Sequence, residues 1–167
     1  MRIAGYVRES ADPSDDRPAF TQQEELRRFA GDHGHNIVAI CQDLRAPGAP
    51  PSRDGYLSLL GVVASGGVEA VLVPGIATFS SDAIVQEIML WDLQARGVRL
   101  LSTVAADLAL LDPEAVPEPS RMVIRDVLER VGEHAAGLGA YRMDPPGILP
   151  DGDVLVHIIE ADAAEGE

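Results

Sequence analysis

Four short apolar runs, separated by stretches with the spacing of helices, constrain this chain more than any other feature. Arg2 to Val7 (RIAGYV), Asn36 to Cys41, Val68 to Val73 and Val98 to Ser102 each have the length of a buried strand. Between the first two, Thr21-Gln22-Gln23-Glu24 reads as a capping box, and Leu26, Phe29, Ala30 and His33 then fall on one helical face. Tyr56, Leu57, Leu59, Leu60 and Val63 predict a second helix, closed by Gly66-Gly67. Ile84, Val85, Ile88, Met89 and Leu93 predict a third, begun near Ser80 or Ser81 and stopped by Gly97. Strands alternating with helices across short connections imply a mostly parallel sheet, covered on both faces and wound by right-handed crossovers. The expected class is therefore α/β, a three-layer fold around four or five strands.

Beyond the sheet, Ile124, Val127, Leu128, Val131, Ala135 and Leu138 keep helical spacing and predict one long helix over about 120–143. Gly132, Gly137 and Gly139 weaken its later turns, since each interior glycine costs about 1 kcal/mol in an exposed helix. The segment 144–167 is an acidic tail with one apolar run, Val154 to Ile159, which reads equally as an added edge strand or a partner-binding segment. A length of 167 residues suits one domain, expected over 1–143, followed by that tail.

Charge narrows the function. The chain carries 27 Asp and Glu against 13 basic residues, a formal net charge of -14, and every basic residue is Arg. Duplex DNA is gripped largely by neutralising its phosphates, so an acidic chain without lysine is expected to bind DNA weakly or not at all. Cys41 stands alone in an apolar run and reads as a small buried hydrophobe. No secretory leader or membrane-length apolar run is visible, and a cytoplasmic protein without membrane association is expected.

The segment Tyr6-Val7-Arg8-Glu9-Ser10 resembles the start of the serine recombinase (resolvase/invertase) catalytic domain, where a Tyr-x-Arg-x-Ser arrangement carries the nucleophilic serine. Several later pieces continue the resemblance in order: Gln22 with Leu26, Asp43 with Gly48, Arg53 with Gly55 and Leu57, and the strand Glu69 to Val73. Ala95 to Leu100 and Arg121 to Glu133 complete it, the latter looking like the family's dimerisation helix. The resemblance implies a resolvase-like fold, a homodimer built on Ile124, Val127, Leu128, Val131 and Ala135, and a reaction centre containing Ser10, Arg8 and Arg53. It implies neither cofactor nor metal.

The chain also departs from the family where the chemistry is most demanding. Attack of a serine hydroxyl on a phosphodiester gathers negative charge, which positioned cations must stabilise. The family's Asp-Arg-Leu-x-Arg after the third strand is Ala77-Thr78-Phe79-Ser80-Ser81 here, and its Glu-Arg pair on the long helix is Ala135-Ala136. Pro47 stands where a serine precedes the glycine. The residues thus lean away from an enzyme and towards a degenerate member acting through self-association or a protein partner, in a regulatory role. In that reading Ser10, Arg8 and Arg53 are vestigial. Two alternatives stand: an active recombinase cutting DNA through Ser10, and a small-anion or nucleotide-binding module using Arg8, Arg53 and Ser10 at the sheet edge. Arg8 and Arg53 have local acids within sequence reach in Glu9, Asp15, Asp16 and Asp54, and ion pairing there is the simpler expectation. His33, His35, His134 and His157 do not cluster as ligands, and Trp91 reads as core or interface.

Overall fold

The computed structural model describes residues 1–10, 17–45, 50–112 and 116–137, together with the backbone of four short strands beyond residue 140. It divides into two compact units, Met1–Arg125 and Asp126–Glu167. The first unit holds β1 (Arg2–Glu9), α1 (Ala19–Asp32), β2 (Asn36–Leu44), α2 (Asp54–Ala64), β3 (Ala70–Val73), α3 (Ala83–Ala95), β4 (Arg99–Ser102) and the single turn α4 (Leu108–Leu111). The long helix α5 (Pro119–Gly137) starts in the first unit and ends in the second.

The four strands form one parallel sheet in the order β2-β1-β3-β4. Alternation along the strands divides the core. Ile3, Val7, Ala70 and Leu72 meet Ala19, Leu26 and Ala30 of α1 on one face. Ala4, Tyr6, Val71 and Val73 meet α2 and α3 through Tyr56, Leu59, Met89 and Leu93 on the other. This is the expected three-layer α/β architecture, with four strands in the main sheet.

Several boundaries moved, each for a physical reason. The first helix begins at Ala19, so Thr21 lies inside it and no capping box forms. Glu9 does the capping instead: its carboxylate, at the end of β1, accepts the Ala19 N–H at 3.2 Å. The third helix is capped by Asp82, which accepts from the Ile84 and Val85 N–H groups, and not by Ser80 or Ser81. Its buried face is also rotated. Gln86 and Glu87 lie inside, while Ile84 and Ile88 face solvent, because Glu87 receives Arg121 and Arg125 from the root of α5.

The long helix closes at Gly137 and Tyr141–Met143 is a strand, so the helix does not run to 143. Gly137 and Gly139, two residues apart, both disfavour a helix at this point of the sequence. The described parts of the apolar tail run pair within the second unit. Val154–Leu155 pairs with Gly147–Ile148, and Ile158–Glu160 pairs with Tyr141–Met143, both antiparallel. Leu138 lies outside the described residues.

The tightest packing is where α2 meets β2. A Cβ on Gly55 would overlap the main-chain carbonyl of Gln42 and sit 2.8 Å from the carboxyl carbon of Asp43. Gly61, in the same helix, has nothing within 4 Å of its Cβ position. Gly55→Ala should therefore destabilise by about 3 kcal/mol through forced displacement of the helix. Gly61→Ala should stabilise by roughly 0.5–1 kcal/mol by restricting the unfolded chain. Paired chemical denaturation curves check both signs, and equal effects from the two substitutions would contradict this packing.

Candidate functional site

β1 sits inside the sheet beside β3, and the crossovers that leave these two strands run in opposite senses, α1 on one face and α3 on the other. In such sheets the carboxyl ends of the strands at the reversal point form a crevice. Arg8 and Ser10 arrive there at the end of β1, and Arg53 arrives as the residue capping the start of α2.

Asp43 organises this end of the molecule. Its buried carboxylate accepts the Tyr6 hydroxyl at 2.7 Å, the Gly55 N–H at 2.8 Å and the Tyr56 N–H at 3.2 Å. Two of these donors belong to the first turn of α2, whose partial positive charge favours a carboxylate. Tyr6, Tyr56 and Phe79 pack as a triangle, with Tyr6 stacked on Phe79 at 5.8 Å between centroids and edge-on to Tyr56 at 5.9 Å. Burial, then the Asp43 hydrogen bond and charge, push the Tyr6 phenol well above its usual range, with Arg53 pulling the other way. Burial and Asp92 raise Tyr56 similarly.

Ser10 and Arg53 do not line the cavity that Arg8 lines. Arg8 lies over the start of the segment after β3, with Nη2 donating to the Ala77 carbonyl at a long 3.4 Å. It lines a cavity of about 100 Å3 with Arg17, Gln22, Pro74, Gly75, Ala77 and Thr78; neither Ser10 nor Arg53 lines it. Ser10 is half-buried at the strand end. Arg53 keeps Nε and Nη1 buried without a hydrogen-bond partner. Among the described residues, the expected pairing of Arg8 and Arg53 with acids is absent: Glu9 holds Arg45 at 2.7 Å instead. Asp15 and Asp16 lie outside the described residues.

Sequence reasoning missed Arg17 and the part played by Gln22. Arg17 follows an irregular polar loop, and no periodic pattern marks it. Gln22, only 2% exposed, donates from Nε2 to the carbonyls of Arg8 and Arg17, both at 2.6 Å, and accepts the Arg8 N–H at 3.2 Å. One side chain thereby fixes the main chains of two arginines. The segment after β3 contributes no cation: Thr78 and Ser80 are buried, Ala77 and Ser81 exposed.

On α5, Val127 and Val131 are exposed and Ile124 and Leu128 half-buried; the Ala135 side chain lies outside the described residues. Val123 joins Val127 and Val131 at four-residue spacing, all more than half exposed. A larger groove of about 820 Å3 beside β4 shares no residue with the Arg8 cavity. Among the described residues no group of three or more His, Cys, Asp or Glu is placed to hold a metal ion. No described helix is long and apolar enough to cross a membrane.

Residues 3–129 match the family model described as "Resolvase, N terminal domain". Similar solved structures include the N-terminal catalytic domain of TP901-1 integrase, at 16% identity and a TM-score of 0.56, covering 83% of this chain and 98% of that one. A resolvase family site-specific recombinase from Streptococcus pneumoniae is 19% identical with a TM-score of 0.55, covering 83% and 93%. The C-terminal catalytic domain of ISC1926 TnpA, an IS607-like serine recombinase, is 18% identical with a TM-score of 0.54, covering 83% and 86%. At these identities the likeness is one of fold. No curated protein matches the sequence.

The raised phenols give a pH test. Free tyrosine ionises near pH 10. A group whose pKa is raised by folding stabilises fully below its unfolded value, and that contribution is lost as pH climbs towards the folded value. Of the three tyrosines, Tyr6 and Tyr56 should stay neutral past pH 10 and then ionise together with unfolding. Absorbance at the phenolate band, followed alongside circular dichroism, checks this; ionisation of all three before any loss of structure would contradict it.

Proposed function

The chain belongs to the resolvase N-terminal-domain family, and from that premise we propose that it is a non-catalytic member, acting by self-association along α5 in a regulatory role. The observation that carries this reading is where its arginines go. Arg121 and Arg125, the cations at the root of the long helix, are both committed to the buried carboxylate of Glu87 at 2.6 and 2.8 Å. Arg17 pairs with Glu25, Arg45 with Glu9 and Arg96 with Asp92. With Ala77, Thr78 and Ser81 after β3, little positive charge remains beside Ser10 beyond Arg8 and Arg53.

Magnitudes support the same conclusion. Loss of one transition-state donor commonly costs about 10²–10³ in rate. Groups that act as a unit fail together, so several losses leave no useful strand cleavage. Arg8 and Arg53 can hold a phosphate, but holding the ground state does not accelerate transfer. Association has the better physical support: Val123, Val127 and Val131 present an exposed β-branched stripe on α5, and buried apolar area drives most protein association.

The protein is expected to run as a homodimer in light scattering. Val127→Asp with Val131→Asp, both at exposed positions, should give a folded monomer. Supercoiled plasmid should yield no covalent adduct, and Ser10→Ala should leave the biological function intact in a host deletion strain. Duplex DNA should bind no tighter than the ~10⁻⁴–10⁻⁶ M typical of non-specific contacts. A serine-dependent protein–DNA adduct would establish the active-recombinase alternative, and a wild-type monomer would remove the association reading.

A further inference from the structure

We propose that the outer edge of β4 is a docking surface for an extended segment of another protein, which adds to the sheet as a further strand with a carboxylate over Arg99. Among the described residues β4 has a strand neighbour on one side only. The N–H groups of Arg99 and, just past the strand, Thr103 donate to the Glu69 and Val73 carbonyls at 3.0 and 3.1 Å. A parallel ladder uses alternate residues, so Val98 and Leu100 turn their main-chain donors and acceptors outward.

Such an edge is a template for another strand unless something blunts it. The opposite edge of the sheet is blunted. β2 skips Val38 in its register with β1, and the start of α2 lies so close to the Gln42 carbonyl that Gly55 can carry no side chain. Residues 98–101 have no proline, and β4 keeps an unbroken register with β3. They share a groove with Leu110, Leu111 and Asp112.

The groove is built on both sides. Leu100, Leu110 and Leu111 pack against the core under α2 and α3, which fixes an apolar lining. Arg125 holds the Leu110 carbonyl at 2.9 Å while Glu87 meets its charge, so this wall is pinned without presenting a free cation. At the other end of β4 the Asp107 carboxylate accepts the Ser102 hydroxyl at 2.6 Å, and the lining stops before that turn.

Arg99 decides the chemistry of the occupant. It is exposed, it lines the groove, and among the described residues it forms no ion pair. An incoming carboxylate meets that cation, whereas a lysine there would meet like charge. Asp112 in the same groove disfavours a uniformly acidic segment, so the remaining contacts are apolar and main-chain. A second copy of this chain would bring a second Arg99 to the same short edge, which favours a foreign strand.

A short end-blocked peptide of alternating valine and threonine, with one central glutamate and a fluorescein label, probes the edge on the full chain. Anisotropy should rise saturably, and hydrogen exchange should slow at the Leu100 amide. N-methylation of one alternate set of peptide amides should abolish binding, and methylation of the other set should leave it, because only one set faces β4. Arg99→Glu, at an exposed position, should keep the circular dichroism of the wild type, weaken this peptide several-fold and favour its lysine-bearing counterpart. Val127→Asp with Val131→Asp should bind as the wild type does, so the result stands apart from association along α5. No saturable binding, binding indifferent to methylation of either set, or protection along α5 in place of Leu100 would overturn the proposal. So would an Arg99→Glu that dissociates a wild-type dimer, because the edge would then belong to a second copy.

Discussion

Asp43 brings a carboxylate into the interior at the end of β2, and three donors from two other elements converge on it. Burying an ionised carboxylate is costly unless its lone pairs are filled. Here a phenol and two helix-terminal amides fill them, which ties β1, β2 and the first turn of α2 to one point. Gly55 follows from this constraint, because the helix must approach the strand so closely that no side chain fits between. The aromatic triangle follows too, since Tyr6 and Tyr56 are held at a shared partner and Phe79 closes against both. Arg53 is positioned as the residue that precedes this turn. Its unpartnered Nε and Nη1 are thus a consequence of where the helix begins.

A second buried carboxylate does for the long helix what Asp43 does for the sheet. Glu87, 2% exposed on α3, receives Arg121 and Arg125, and Gln86 beside it accepts from Arg121 at 2.8 Å. Arg125 also donates to the Leu110 carbonyl at 2.9 Å, so the turn before α5 is held by the same cation. Removing one partner of such a cluster strands a charge in the interior, which typically costs about 3–5 kcal/mol. The root of α5 is fixed by polar contacts, while Val123, Val127 and Val131 are left exposed.

The order of strands and helices was legible because it rests on periodicity, which a parallel sheet with helices on both faces imposes along the whole chain. The family was legible from Tyr6-Val7-Arg8-Glu9-Ser10 and the ordered pieces after it. What escaped was set by contacts between residues distant in sequence. Thr21 has the right neighbours for a capping box, yet Glu9, ten residues before Ala19, caps the helix and lets it start earlier. Ile84 and Ile88 fit a buried stripe by spacing, yet the α5 arginines draw Gln86 and Glu87 inside and turn the isoleucines out. Arg17 carries no pattern at all; only Gln22, reaching both Arg8 and Arg17, reveals that the two share a rim.

These separations clarify what a phosphoryl-transfer centre would require of this framework. Asp43, Tyr6, Gln22 and Gly55 are spent on holding strands, helix and rim together, and they do so through neutral or internally compensated contacts. Catalysis needs an uncompensated positive field aimed at a developing charge, which cannot be borrowed from residues whose charge is already matched. The acidic side chains outnumber the arginines about two to one, and the described ion pairs place acids on Arg17 and Arg45 near the sheet edge and on Arg121 and Arg125 at the root of α5, while Arg8 and Arg53 have no such pair among the described residues. Pairing of Arg121 and Arg125 with Glu87 holds the root of α5, and Val123, Val127 and Val131 remain as exposed apolar surface on that helix.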